Sequence, residues 1–143
     1  MSRNDRSSNS KETGNSGFNA LRQHDLAKCM SSFAEDSTLT FPGNVSISGE
    51  AKGKKAIEAC FAKMMEQFPK LDFTIKEVFV SNIFALGATN NVAVEWDVTE
   101  TNCEGKEFRN SGVTIIRVKG GKVVSLRDYI SNTDIMKEAW GRK

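Results

Sequence analysis

Residues 92–130 read VAVEWDVTETNCEGKEFRNSGVTIIRVKGGKVVSLRDYI and contain a run at Val92–Thr99 in which apolar and polar side chains alternate, followed by two further runs at Phe108–Val118 and Lys122–Ile130. Alternation with a period of two is typical of strands that bury one face. The runs are separated by Asn102–Gly105 and by Gly120–Gly121, which are residues that favour tight turns. Parallel strands need long crossovers, so connections this short predict three antiparallel strands in chain order.

The apolar periodicity becomes that of helices in the first half of the chain. Asp25 is predicted to cap a helix that ends at Ala34–Asp36, and a longer helix is predicted between Gly53 and Pro69. A short strand is expected between the two helices, at Ser37–Phe41. The first helix presents Leu26, Cys29, Met30 and Phe33 on one face, and the longer one presents Ala56, Ile57, Cys60, Phe61, Met64 and Phe68.

The remaining segments complete an α+β fold. Phe73–Val80 is predicted to be a strand with an irregularity near Glu77, and Ile83–Leu86 precedes a predicted turn at Gly87–Asn91. A final short helix is predicted with Asp134 as its cap. Helices that precede a run of strands predict N-terminal helices packed on one face of a strongly curved, mostly antiparallel sheet. Such a sheet leaves a concave space under the helices, which is a common kind of ligand site.

The composition is that of one ordinary globular domain. The chain has 143 residues, of which 38% are hydrophobic and 27% charged, and its formal charge is +2. This charge is too small to indicate nucleic acid or an acidic membrane as a partner. Residues 1–17 are predicted to be a flexible polar tail, and residues 18–143 the folded domain. No secretory or membrane-spanning stretch is visible, so a cytoplasmic location is expected.

The cysteines and the one histidine predict no metal site. Cys29, Cys60 and Cys103 are odd in number and far apart, and no pair has CxxC spacing. Two of them fall at apolar helix positions, where a thiol behaves as a small hydrophobic side chain. His24 is interpreted as structural, and no phosphate-binding glycine loop or dinucleotide motif occurs. No cofactor is therefore expected.

Four segments carry a family pattern in a fixed order. They are HDL at 24–26 with FAED at 33–36, GKKAI at 53–57, FRNSGV at 108–113 with VKGGKV at 118–123, and SLRDYI at 125–130. Together they resemble SnoaL-like and ketosteroid-isomerase-like members of the nuclear transport factor 2-like superfamily, with partial similarity to limonene-epoxide-hydrolase-like proteins. The resemblance implies a cone-shaped α+β barrel, a homodimer, and a pocket for an apolar small molecule between the helices and the sheet. The superfamily includes isomerases, cyclases, dehydratases, hydrolases and non-catalytic proteins, so the fold does not fix the function.

Asp128 is the first candidate catalytic residue. On a strand it shares a face with Val124, Leu126 and Ile130, which makes it an acid in an apolar row. An apolar environment raises the pKa of a carboxyl group toward values useful for acid–base chemistry. The resemblance to the epoxide hydrolases implies a catalytic acid or base at this position. The alternative is a strand-end aspartate paired with Arg127 or a lysine at the pocket rim.

Glu95 and Asp97 are the other catalytic candidates, and they point from one face of their strand because they lie two residues apart. The epoxide-hydrolase resemblance implies that both lie in the pocket, with Asp97 at the position of a catalytic aspartate. Glu95 stands where that family has an arginine, which argues against epoxide hydrolysis by its known residues. The alternative follows from the alternation: Val92, Val94, Trp96 and Val98 face the core, and the two acids face solvent.

Four further residues are candidates for binding a ligand. The same resemblance places Phe41 and Asn44 where the epoxide hydrolases hold a water molecule with a tyrosine and an asparagine, although Phe41 lacks the hydroxyl. Asn110 lies in the family hairpin and can hydrogen-bond a ligand, but a structural hydrogen bond explains it equally well. Trp96 is a candidate for the pocket wall as well as for the core or the dimer interface.

Two functions from different classes follow. The first is a cofactor-independent isomerase, cyclase, dehydratase or hydrolase that applies carboxylate acid–base chemistry to an apolar small molecule. The second is a non-catalytic ligand-binding or dimerisation module. The second is motivated by the departures from the epoxide-hydrolase residues and by the only tyrosine, Tyr129, which lies on the opposite strand face from Asp128 and cannot replace the tyrosine donor of ketosteroid isomerases. Convergence of two or more acids in one pocket would favour the enzyme.

Overall fold

The computed structural model describes residues 16–81 and 89–141, which form four helices and six strands. The helices are α1 (16–22), α2 (Leu26–Ser31), α3 (Lys54–Gln67) and α4 (Thr133–Trp140). The strands are β1 (Phe33–Phe41), β2 (Gly49–Lys52), β3 (Lys70–Val80), β4 (Asn90–Thr101), β5 (Glu107–Lys119) and β6 (Lys122–Ile130).

The strands form one curved sheet in the order β2-β1-β6-β5-β4-β3. Every neighbouring pair is antiparallel except β1 and β6, which are parallel. The predicted α+β class with a mostly antiparallel sheet is confirmed. The sheet does not close on itself, because β2 and β3 are its two edges. Register shifts within three of the strand pairs bend the strands and contribute to the curvature.

The meander of β4, β5 and β6 matches the sequence prediction closely. β6 spans Lys122–Ile130 as predicted, and the connection between β5 and β6 is the turn at Gly120–Gly121. Both glycines have positive φ angles, which suits a tight hairpin. The irregularity expected near Glu77 is a register shift between Ile75 and Glu77 in the pairing of β3 with β4. Short connections and alternating residues therefore determined this half of the fold.

Several element boundaries differ from the sequence prediction, and two of these differences have a clear structural cause. The first helix was expected to contain Phe33 and to end at Ala34–Asp36, but these residues begin β1, because Phe33 pairs with Val123 of the parallel strand β6. The Val123 backbone N–H also donates to the Ser32 carbonyl oxygen at 2.8 Å, which fixes the end of α2. The cap of α4 is Asn132, whose side chain accepts from the Ile135 N–H, and not Asp134. A long-range strand pairing thus overrides the local helical spacing.

Hydrogen bonds and an ion pair connect the N-terminal helices to the edge strand β3 and to the end of α3. Arg22 of α1 donates to the Phe73 carbonyl oxygen at 2.6 Å and forms an ion pair with Asp72 at 3.3 Å. His24 Nε2 lies 2.8 Å from the Phe68 carbonyl oxygen at the end of α3, which agrees with a structural role for this histidine. These contacts hold α1 and α3 over the concave face of the sheet.

Some predicted features lie outside the described residues. The polar tail predicted over 1–17 is described only at its last two residues, which belong to α1. Residues 83–86 and the first part of the turn at 87–91 also fall in the range that the structure leaves undescribed. Over 16–81 and 89–141, no helix has the length and apolar character that crossing a membrane would require.

Candidate functional site

A cavity of about 100 Å³ lies between the helices and the concave face of the sheet. Eight aromatic side chains contribute to its wall: Phe18, Phe33, Phe41, Phe61, Phe68, Phe73, Trp96 and Trp140. Its polar side chains are Ser32, Glu100, Asn110, Thr114 and Asp128. An apolar cavity with a few polar groups is the usual character of a site for a small organic molecule.

Asp128 lies on the cavity wall, on the same face of β6 as Leu126 and Ile130. It is half-buried, and its Oδ1 accepts a 2.6 Å hydrogen bond from the Thr114 hydroxyl. Its Oδ2 receives no hydrogen bond from any residue that the structure describes. Burial raises the pKa of Asp128 to about 6, and the Thr114 hydrogen bond opposes part of that rise. The carboxyl group therefore changes protonation close to neutral pH.

Thr114 connects Asp128 to the indole of Trp96. The Trp96 Nε1–H donates to Thr114 Oγ1 at 2.9 Å, and both side chains are buried, with 5% and 3% of their surfaces exposed. An indole N–H can only donate, so Thr114 accepts from Trp96 and has its own proton free to donate to Asp128. Three strands thus contribute one residue each to a directed chain of hydrogen bonds. This chain fixes the position of the Asp128 carboxylate and favours its ionised form.

Gly112 makes room for this arrangement on β5. A Cβ atom at this position would lie 2.7 and 2.8 Å from two carbons of the Trp96 ring and would also overlap the Tyr129 carbonyl oxygen. The glycine is therefore required for space, because the indole crosses β5 at this point to reach Thr114. A side chain here would force the Trp96 ring or the neighbouring backbone of β6 to shift.

Glu100 is a second acid of the cavity, which the sequence interpretation missed. It follows Val98 by two residues on the inner face of β4, and it lines the cavity. Burial raises its pKa to about 7. Glu100 pairs with Phe108 of β5, and Asp128 pairs with Thr114 of the same strand. Phe108 and Thr114 are six residues apart, which corresponds to about 20 Å along an extended strand, so the two acids lie in different parts of the cavity. Continuing the alternation of Val92, Val94, Trp96 and Val98 by one step would have found Glu100 from sequence.

Glu95 and Asp97 do not line the cavity, which is the arrangement that the alternation predicted and not the pocket placement that the resemblance implied. Trp96 and its apolar neighbours on β4 are buried, and strict alternation turns Glu95 and Asp97 to the outer face of the sheet. Asp97 is exposed and Glu95 is half-buried on that face. The two acids that do line the cavity are Asp128 and Glu100.

The ligand-binding candidates separate into two groups. Phe41 and Trp96 line the cavity, and the Phe41 ring packs against Trp140 with the centroids 6.2 Å apart. Asn44 is exposed and is not part of the cavity wall. Asn110 borders the cavity, but its amide joins β5 to the start of α4.

The Asn110 amide makes three hydrogen bonds. Its Nδ2 donates to the Asn132 carbonyl oxygen at 2.8 Å, and its Oδ1 accepts from the backbone N–H groups of Asn132 at 3.1 Å and Ser111 at 2.9 Å. These bonds give Asn110 a structural role at the rim of the cavity.

Within the described ranges, no group of three or more histidine, cysteine, aspartate or glutamate side chains is arranged to hold a metal ion.

Comparisons with known proteins agree with this architecture. The family model of the SnoaL-like domain matches residues 16–126, so the match ends two residues before Asp128. Bal32a, from a soil-derived mobile gene cassette, has a TM-score of 0.81 with 21% identity, covering 95% of this chain and 99% of its own. No curated protein matches the sequence.

Two other structural neighbours were determined with small molecules. TerC, co-crystallised with polyporic acid, has a TM-score of 0.73 with 16% identity, covering 90% of this chain and 95% of its own. A protein of ketosteroid isomerase-like fold from Catenulispora acidiphila DSM 44928, in complex with trimethylamine, has a TM-score of 0.70 with 18% identity, covering 87% of this chain and 88% of its own. At these identities the likeness concerns the fold alone.

Proposed function

This chain belongs to the SnoaL-like domain family, and from that premise we propose that it binds a small, largely apolar molecule and exchanges a proton with it through Asp128. The observation that carries the proposal is an aspartate on an aromatic-rich cavity wall, with one oxygen held by Thr114 and the other without a partner among the described residues. Structural neighbours described with polyporic acid and trimethylamine support the use of this fold for small molecules.

The geometry suits general acid–base catalysis. With a pKa of about 6, Asp128 is mostly ionised at pH 7 and is a base of useful strength in a partly desolvated site. Its unpartnered Oδ2 would take a proton from the bound molecule, and the electron pair left behind would move within that molecule. The protonated carboxyl group would then return the proton to another atom, which completes an isomerisation, or keep it while a leaving group departs. The Thr114 hydrogen bond holds the carboxylate in place throughout.

A second candidate function is non-catalytic binding or dimerisation. Tyr129 and Phe79 lie on the outer face of the sheet with 52% and 58% of their surfaces exposed, which suits contact with a second copy of the chain. We retain the homodimer as part of the proposal. Light scattering on the purified protein tests it, and a dimer that is weakened by Tyr129→Lys is expected. A monomer at all working concentrations would contradict it.

Nitrobenzisoxazole tests the catalytic proposal without knowledge of the natural substrate. A base removes its ring C–H proton, the electron pair forms a nitrile, and the N–O bond breaks to release a coloured cyanophenolate. The wild-type protein is expected to accelerate this reaction, and Asp128→Asn is expected to lower the rate at least about tenfold. Trp96 and Trp140 are the two tryptophans of the chain and both line the cavity, so their fluorescence reports whether the probe binds. Binding without any turnover that depends on Asp128 would favour the non-catalytic function.

A further inference from the structure

The described wall of the cavity carries carboxyl groups without a basic side chain to pair with them. Asp128 and Glu100 are its two carboxyl groups, and none of the described residues that line it is a lysine, an arginine or a histidine. The ion pairs within the described part of the chain lie elsewhere, at Arg22–Asp72, Lys52–Glu50 and Arg109–Glu107. A buried acid without a cationic partner is costly when ionised. A ligand that brings a positive charge would supply that partner, and an anionic ligand would be repelled.

The two acids are not equivalent. Oδ1 of Asp128 is held by Thr114, and Thr114 is in turn held by Trp96. Glu100 has neither a hydrogen bond nor an ion pair from any residue that the structure describes, although it is half-buried. Glu100 is therefore the acid of the cavity whose charge no described residue stabilises.

The aromatic side chains of the cavity point to the same class of ligand. Trp96 and Phe73 pack edge to face with centroids 5.4 Å apart, and Trp140 and Phe68 do so with centroids 5.2 Å apart. The face of an aromatic ring is negative and attracts organic cations, most strongly when water is excluded. Cages of aromatic rings are a recurring way to bind quaternary ammonium groups.

We infer that the ligand of this cavity is an apolar organic cation with an alkylated ammonium group, and that Glu100 is the residue that binds this group. The inference rests on the proposed function only in that the cavity binds a small molecule. It assigns the cationic end of the ligand to Glu100 and leaves the proton exchange to Asp128. Glu100 is thus a specificity-determining residue, and its role does not depend on whether Asp128 catalyses a reaction.

Three probes of nearly equal shape separate charge from size. They are tetramethylammonium, tert-butanol and pivalate, which are respectively cationic, neutral and anionic at pH 8. Binding to the full chain is measured from the indole N–H signals of Trp96 and Trp140 in NMR spectra. Tetramethylammonium is expected to bind about tenfold more tightly than tert-butanol, and pivalate more weakly than either. Glu100→Gln is expected to reduce the preference for the cation to about threefold or less without weakening tert-butanol.

The control variant is Glu95→Gln, which removes the same charge from the outer face of β4 and is expected to keep the preference. Equal affinity for the three probes, tighter binding of pivalate, or no binding of any of them overturns the inference. An unchanged cation preference in Glu100→Gln overturns the role of Glu100. The two proposals can fail independently. If turnover of nitrobenzisoxazole does not depend on Asp128 but the cation preference persists, the proposed catalysis is wrong and the inference about the ligand stands.

Discussion

Thr114 and Asp128 are directly opposite each other in β5 and β6, and the Thr114 hydroxyl donates to Asp128 Oδ1 at 2.6 Å. The position of the carboxylate is therefore set by the register of two paired strands and not by a loop. A slip of one residue would turn every side chain of β6 to the other face. Because the sheet itself holds Asp128, the acid is pre-positioned before any ligand arrives.

Replacing Thr114 by valine tests the hydrogen-bond chain. Valine has nearly the same shape but no hydroxyl, so the Trp96 N–H loses its acceptor and Asp128 loses its donor. We expect the pKa of Asp128 to rise further above its present value of about 6, because the ionised form is no longer stabilised. We also expect a loss of about 1–3 kcal/mol in the free energy of unfolding. The pH dependence of nitrobenzisoxazole turnover and chemical denaturation measure the two effects.

The control for that variant is Thr99→Val, which removes a hydroxyl from the outer face of β4. It is expected to leave the pH profile of turnover unchanged. An identical profile in Thr114→Val and in the wild type would show that the hydrogen bond does not tune Asp128.

The pH profile of the wild-type protein provides a second prediction. Asp128 acts as a base only when ionised, so turnover is expected to rise with pH and to reach half of its plateau near pH 6. The Glu100→Gln variant is expected to keep this midpoint, since Glu100 does not touch the reacting atoms in our proposal. A midpoint near pH 4, the ordinary range for aspartate, would contradict a desolvated catalytic carboxylate.

The difference in stability between Glu100→Gln and the wild type should depend on pH. Burial raises the pKa of Glu100 from its ordinary 4.5 to about 7, so the folded state binds this proton more tightly than the unfolded state does. The resulting stabilisation is complete below the unfolded pKa and is lost as pH rises through about 7. At pH 8 the buried charge therefore weakens the fold, and removing it should stabilise the protein.

The shift from 4.5 to about 7 corresponds to at most about 3 kcal/mol, and solvent screening of this half-buried group reduces the expected gain to about 1–2 kcal/mol. Thermal unfolding at pH 8 should show a Tm about 3–8 °C higher than that of the wild type, with little difference at pH 4. An equal gain at both pH values would mean that the ionisation of Glu100 is not the cause.

Replacing Gly112 by alanine tests the space that Trp96 needs. The added methyl group would overlap the indole ring and the Tyr129 carbonyl oxygen, and we expect a loss of about 2–4 kcal/mol in the free energy of unfolding. Gly17→Ala is the matched control, because no atom beyond its chain neighbours and its own helix backbone lies within 4 Å of a Cβ placed there, and alanine favours the α1 helix. A Gly112→Ala protein as stable as the wild type would show that the Trp96 ring and the Tyr129 backbone can move away from β5 without a cost in free energy.

The sequence predicted the fold best where local pattern and tertiary structure agree. Alternation and glycine turns identified β6 with its observed bounds, and the stripe from Ala56 to Phe68 identified α3. It failed at Phe33, where apolar spacing continues the α2 pattern but pairing with Val123 of β6 makes a strand. No local signal carries that pairing, because its two partners are 90 residues apart in the chain.

The candidate site, like the fold, could be predicted where a local pattern carries the information and not where pairing between strands does. The cavity position of Asp128 follows from its apolar neighbours on one strand face, which the sequence contains. Glu95 and Asp97 were placed in the pocket by family resemblance, although the clean alternation of β4 already assigned them to the outer face. Glu100 lies on the inner face by that same alternation. The hydrogen-bond chain from Trp96 through Thr114 depends on the register between strands, which residue spacing does not contain.

The most direct test of our account is the nitrobenzisoxazole turnover of Asp128→Asn compared with that of Glu95→Gln. Each variant removes one carboxylate from a neighbouring part of the sheet, but only Asp128 lies on the cavity wall. We predict that the turnover rate of Asp128→Asn is at least about tenfold lower than that of the wild type and that the rate of Glu95→Gln stays within about twofold of it. Equal rates in the two variants would contradict a role for Asp128 in proton exchange.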